Sequence, residues 1–218
     1  MLRNPLLCIY LKHYFFSLKS ITKIDYPWIT YGAIGWLKKY IRQSHRVFEF
    51  GSGSSTIYFA KNAGSVVSVE HDWDYFKYVK SKIMHFENVT FLFKQPQSVN
   101  SLDFSYRSQT FPKYHGFSFE NYIHTLSKFP DRYFDLILVE GRAREEALKL
   151  AAVKCKLNGY VILDNSEREL YWRAVQNNGY LLKKHYFGFG PGLKSFWRTS
   201  VLIPVSYTHL TLPTIYSV

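Results

Sequence analysis

From Arg46 onward the chain alternates between short apolar runs and longer amphipathic stretches. Arg46–Phe50, Ser65–Glu70 and Val89–Phe93 are rich in Val and Phe, residues that fit a pleated, buried surface, and each reads as a strand. Residues 55–63 and 73–85 between them carry apolar side chains three and four positions apart, the period of a helix. Such alternation predicts a parallel sheet, because each parallel crossover needs a helix-length connection. Residues 94–117 interrupt the pattern with Ser, Gln, Asn, Pro and aromatics. A connector that long reads as a binding loop or lid, or as a disordered surface insertion. The alternation then resumes as helix 118–128, strand Phe134–Val139, helix 143–156, strand Tyr160–Leu163 and helix 167–176. Continuous apolar runs at 134–139 and 160–163 suit central strands covered on both faces. Two last strands, 180–186 and 196–203, have no helix between them, only Gly188-Phe-Gly-Pro-Gly192, which predicts an antiparallel edge hairpin. The predicted fold is α/β: a doubly wound, mostly parallel sheet of seven strands.

The same pattern sets boundaries. Residues 1–45 read as an N-terminal helical cap, whose clearest helix is Tyr31 to Ile41 with Ala33, Ile34, Leu37 and Ile41 on one face. Residues 46–205 form the α/β domain. Ser206 to Val218 contain no Asp, Glu, Lys or Arg and break the pattern. They look like translated adapter read-through, a non-native tail, and are set aside. Leu6 to Leu18 are apolar but broken by Lys12 and His13 and lack a small-residue cleavage site. That suits an amphipathic helix resting on the domain or on a membrane surface better than a secretory signal. No run reaches the roughly 18 apolar residues of a membrane-spanning helix.

Composition changes this picture little. The chain has 218 residues, 47% of them hydrophobic, enough for one domain with a substantial core. A formal charge of +12 allows a polyanionic partner, but the basic residues are scattered, with only short pairs such as Lys38-Lys39 and Lys183-Lys184. Without a basic stripe or a recognition motif, no nucleic-acid partner is expected. Cys8 and Cys155 have no paired spacing for zinc or redox chemistry, so free thiols and a cytoplasmic location are expected.

Candidate chemistry begins at Val47-Phe-Glu-Phe-Gly-Ser-Gly-Ser-Ser-Thr56. Strand, glycine turn and helix follow in order there. Gly51 and Gly53 let backbone approach a ligand that a Cβ would block, and the helix start offers N–H groups to an anion. Glu70, ending the second strand nineteen positions after Gly51, is placed to accept hydrogen bonds from ribose hydroxyls.

The element order, the Glu49-Phe-Gly-Ser-Gly corner, Glu70 and the late hairpin resemble class I S-adenosylmethionine-dependent methyltransferases, with their Rossmann-like sheet, over roughly residues 30–203. Three segments, Phe134 to Arg144, Leu163-Asp-Asn-Ser-Glu-Arg168 and Gly188 to Gly192, are similar to a poorly characterised bacterial group within that class. The resemblance implies that Gly51 and Gly53 pass beneath the methionine part of S-adenosylmethionine, with Ser52 and Ser54 hydrogen-bonding it. It implies further that Glu49 reaches the amino group and Glu70 the ribose, with His71 and Asp72 near adenine. It departs from the family at Val139-Glu-Gly141, where Asp is more typical than Glu140.

Acceptor-side candidates lie where the fourth and fifth strands end: Glu140, Arg142, Asp164 and Asn165, with Glu140, Arg142 and Asp164 as catalytic candidates. Glu140, Asp164 and Asn165 resemble the divalent-metal site of catechol-type O-methyltransferases, and hard oxygen ligands suit Mg²⁺. Helix capping by Asp164 and Asn165 is the alternative. Arg142, Arg144 and Arg168 could grip an acceptor carboxylate or phosphate, or pair with Glu145, Glu146 or Glu167. His115 and His124 read as surface or core residues. No Asn-Pro-Pro-Tyr-like segment occurs, which weakens base or amide N-methylation. The expected reaction is that of an S-adenosylmethionine-dependent methyltransferase, O-methylation of a small-molecule or glycan-like acceptor. Two rivals stand beside it: an NAD(P)-dependent oxidoreductase, which would prefer glycine where Thr56 stands, and a non-catalytic nucleotide-binding module.

Overall fold

The computed structural model describes residues 26–98, 106–107, 112–191 and 195–205; the Leu6–Leu18 stretch, the 206–218 tail and Gly192 lie outside them. Helix α1 (Tyr31–Tyr40) leads into strand β1 (Arg46–Phe50). Then come α2 (Ser54–Asn62), β2 (Ser65–Glu70), α3 (Trp73–Ile83) and β3 (Val89–Phe93). Two short strands, β4 (Gln97–Ser98) and β5 (Phe117–Ser118), pair with each other. They are followed by α4 (Glu120–Ile123), β6 (Phe134–Val139), α5 (Arg144–Lys154), β7 (Cys155–Asp164), α6 (Glu169–Asn177), β8 (Tyr180–Gly188) and β9 (Trp197–Pro204).

The main sheet has seven strands in the order β3-β2-β1-β6-β7-β9-β8. The first five run parallel, while β9 is antiparallel to both β7 and β8. The chain winds outward from β1 through β2 to β3, then returns to start again at β6 on β1's other side. That reversal leaves a crevice outside the carboxyl ends of β1 and β6, the place where open α/β sheets bind ligands.

Alternation along each strand sends side chains to two separate cores. Phe48 and Phe50 of β1, with Ile137 and Val139 of β6, pack under Tyr122, Ala147, Leu148 and Tyr171. Val47, Leu136 and Leu138 point to the opposite face, under Leu37 of α1 and Phe59 of α2. Glu49 falls on this second face by the same alternation. Helix α1 therefore belongs to the layer covering the sheet, its buried Ala33, Ile34 and Leu37 sharing a core with β1, β6, β7 and β9.

Several elements differ from the sequence expectation. The helix expected over 118–128 breaks into α4 and a 3-10 turn at Leu126–Lys128. Thr125 Oγ1 bonds the Asn121 carbonyl and Ser127 Oγ the His124 carbonyl, local competition that shortens a helix. Strand β7 starts at Cys155, not Tyr160, directly after α5. Its polar start pairs Cys155 with Phe134, and the register shifts before Tyr160 meets Leu136. Among the described residues no helix is long and apolar enough to cross a membrane.

Candidate functional site

The crevice is built on a contact between two glycines. Gly51 follows β1 with φ +85°, a left-handed conformation that glycine adopts without strain. A Cβ at Gly51 would stand 2.8 Å from the Gly141 nitrogen and 2.9 Å from its Cα, so the loops leaving β1 and β6 meet backbone to backbone. Gly51→Ala adds both a strained φ and that clash. We expect it to lower the unfolding free energy by about 1–3 kcal/mol, read from urea melts.

Glu49 supports the corner from behind. It is fully buried, and its Oε1 accepts a hydrogen bond from Thr56 Oγ1, which in turn accepts from the Gly53 N–H at 3.0 Å. Oε2 has no partner in hydrogen-bonding geometry. Burial pushes the Glu49 carboxyl up to about 7, although the Thr56, Ser68 and Ser55 hydroxyls pull the other way.

Glu70 is buried but answered. Its Oε2 accepts from Ser52 N at 3.0 Å and Ser52 Oγ at 2.8 Å, and its Oε1 accepts from the N–H groups of His71 and Asp72 at 2.7 and 2.9 Å. Burial opposes ionisation, but these hydrogen bonds and the His71 ring, Nδ1 at 2.8 Å, hold the carboxyl below its ordinary value. The next acid, Asp72, is the N-cap of α3, accepting from Asp74 N and Tyr75 N at 3.1 Å each.

A cavity of about 720 Å³ opens above this corner, within the range that holds a drug-sized ligand. Of the residues expected from the sequence, Gly51, Ser52, Glu70, His71, Glu140, Arg142 and Asn165 line it; Glu49, Gly53, Ser54 and Asp164 do not. Ser54 Oγ is instead spent on the Tyr26 carbonyl at 2.6 Å. Tyr75 and Tyr114, which the sequence reading passed over, also line the cavity. The Tyr75 ring lies against the corner, its hydroxyl 3.0 Å from where a Gly53 Cβ would stand, and burial raises that hydroxyl to about 12.

At the far side, Glu140 directly follows β6 and Asp164 ends β7. Burial, together with the negative Asp164 nearby, raises the Glu140 carboxyl; Arg144 partly offsets this. Asp164 does not cap a helix. Its Oδ1 accepts from Trp197 Nε1 at 2.8 Å and Thr199 Oγ1 at 2.7 Å, fastening β9 to β7, while α6 begins later with Arg168 at its cap position. Asn165, with φ +53°, turns its Oδ1 to Arg144 Nη1 at 3.2 Å, and the same guanidinium bonds the Asp164 carbonyl. A divalent ion does not fit this arrangement: Arg144 already supplies the positive charge and holds the Asn165 oxygen a metal would need. Among the described residues no group of three His, Cys, Asp or Glu side chains is arranged to hold a metal.

Two of the three acids expected to pair with the arginines are engaged elsewhere. Glu146 pairs with Lys149 at 2.6 Å, and Glu167 Oε2 accepts from Arg198 N at 3.0 Å. Arg144 lies 5.2 Å from the Tyr171 ring and Arg168 5.6 Å from it, while Arg142 sits over Tyr114 at 5.2 Å.

No protein-family model and no curated protein sequence matches the chain. Solved structures do. A TehB-like S-adenosylmethionine-dependent methyltransferase from Corynebacterium glutamicum superposes with a TM-score of 0.52 at 13% identity, over 93% of this chain and 100% of that one. A methyltransferase-type protein from Streptococcus mutans, in complex with S-adenosylhomocysteine (SAH), gives 0.52 at 10% identity, over 78% of this chain and 94% of that one. At such identities the likeness is one of fold. The chain has the fold of class I S-adenosylmethionine-dependent methyltransferases.

Proposed function

We propose that this protein transfers a methyl group from S-adenosylmethionine to an oxygen of a small-molecule or glycan-like acceptor. One observation carries the reading: the Gly51–Ser52 corner and Glu70 share a single cavity with Glu140 at the next strand's end. The first pair suits a cofactor and the last an acceptor, and the strand order sets them side by side. The fold likeness to a protein in complex with SAH supports it.

The residues present fit the cofactor. A Cβ at Gly51 would fill the space between the β1 and β6 loops, so bare backbone lines that part of the cavity. Glu70 already accepts from three backbone N–H groups and one hydroxyl. Of these donors only Ser52 Oγ can rotate away, so ribose hydroxyls would take its place. When bound, the sulfonium supplies a methyl group already activated for displacement. What remains for the chain is alignment, exclusion of water and removal of the acceptor's proton. Glu140 suits that last task, since its raised carboxyl is a stronger base than an ordinary one once ionised. We place the reaction in the cytoplasm.

SAH should raise the melting temperature by mass action, and NAD and NADP should not. Glu70→Ala should weaken SAH by roughly 1–3 kcal/mol, the usual loss for a charged hydrogen-bond acceptor, measured by calorimetric titration. A shift with NAD and none with SAH would replace this reading by a dehydrogenase.

A further inference from the structure

The cavity is polarised. Glu70, Asp72 and Asp74 line its wall at the end of β2, while Arg142, Arg144 and Arg168 line the opposite wall beyond β6 and β7. The acidic wall suits a cofactor that presents hydroxyl donors and a positive sulfonium. The cofactor's own methionine carboxylate can occupy one guanidinium of that wall, and three are more than a single carboxylate takes.

Arg168 is the most available of the three. Its one side-chain hydrogen bond among the described residues runs from Nη1 to the Tyr171 hydroxyl at 3.3 Å, leaving Nε and Nη2 as donors. No acid answers it among the described residues, since Glu167 Oε2 takes the Arg198 N–H and Glu169 pairs with Arg173. Arg144 contributes charge but is engaged with the Gly141 and Asp164 carbonyls and Asn165 Oδ1. Helix α5 also begins here, directly after Arg142 and Ala143, adding its positive dipole end. Trp28 and Tyr78, exposed by 44% and 58%, stand on the same cavity and offer flat apolar faces.

We infer that the acceptor carries an oxyanion, phosphate or carboxylate, gripped by Arg168 with Arg142 beside it. This rests on the methyltransferase reading for the word acceptor; the anion site itself does not. A planar guanidinium matches either anion with two parallel N–H donors, which a lysine cannot reproduce.

The test uses the full chain saturated with SAH. Sodium phosphate, sodium acetate and sodium chloride are titrated at matched ionic strength, following melting temperature and calorimetric heat. Phosphate or acetate should bind with saturation where chloride does not, and whichever binds more tightly names the acceptor's oxyanion. Arg168→Gln should weaken that anion roughly tenfold or more, the usual effect of removing a charged hydrogen-bond donor, and Arg168→Lys less. Both variants should keep the SAH shift, which also shows that they fold. Equal anion affinity in the wild type and Arg168→Gln, or an equal response to chloride, overturns the inference while the methyltransferase reading stands. Loss of the SAH shift in the wild type has the opposite meaning: that reading falls, and saturable phosphate or acetate binding that depends on Arg168 still supports the anion site.

Discussion

Glu49→Gln should stabilise the protein at pH 8 by about 3 kcal/mol and leave it nearly unchanged at pH 4.5. The carboxyl ionises at about 7 in the fold against an ordinary 4.5, and each unit corresponds to about 1.4 kcal/mol. Between those values the folded protein holds a proton that the unfolded chain has lost. Stability is therefore full below pH 4.5 and is lost as pH rises toward 7, after which the penalty stays constant. Glutamine keeps an oxygen for the Thr56 hydroxyl that Glu49 now accepts and carries no charge to bury. Urea unfolding of both proteins from pH 4.5 to 8 should show the wild type falling while the variant lacks that decline. A parallel SAH titration should change less than about threefold, because Glu49 stands behind the corner and off the cavity wall. A tenfold loss would instead show that Oε2 reaches the cofactor's amino group, as the family resemblance implies.

The glycine corner was legible because independent signals coincide over 46–63: an apolar run, two glycines, then a helical period. The central strands were legible for the same reason, since β6 and the second half of β7 are apolar runs buried along nearly their whole length. Contacts fixed by topology were not. Gly141 looks like any turn glycine until β1 and β6 lie side by side and its backbone meets Gly51. Asp164 looked free to bind a metal or cap a helix. Its partners, Trp197 and Thr199, arrive only because β9 inserts between β7 and β8 instead of following β8 outward. The first half of β7 was hidden by Lys156-Leu-Asn-Gly159, which has the composition of a turn; Cys155 pairs with Phe134, and these four residues are taken up in the register shift before Tyr160 meets Leu136. Tyr75 carried no signal at all, being one aromatic on a helix rich in them, until the fold turned it toward Gly53.

Glu140→Gln should lower the rate of methyl transfer about 10²–10⁴-fold, the usual contribution of a positioned general base. The rate is read as label passing from S-adenosylmethionine into a small-molecule or glycan acceptor pool. In the wild type, only the ionised carboxylate can take the acceptor's proton. Burial and the nearby Asp164 raise the Glu140 carboxyl above its ordinary value, so the wild-type rate should climb with pH across a range displaced upward from 4.5. Glutamine fits the same space but accepts no proton, so both the rate and its pH dependence should go together. Glu140→Asp, one bond shorter, should recover part of the rate and keep the rising profile. SAH affinity should stay within about threefold in both variants, because Glu140 lies across the cavity from Glu70. A Gln variant within tenfold of the wild type, with the same rising profile, would remove Glu140 from the chemistry and leave proton removal to another group on that wall.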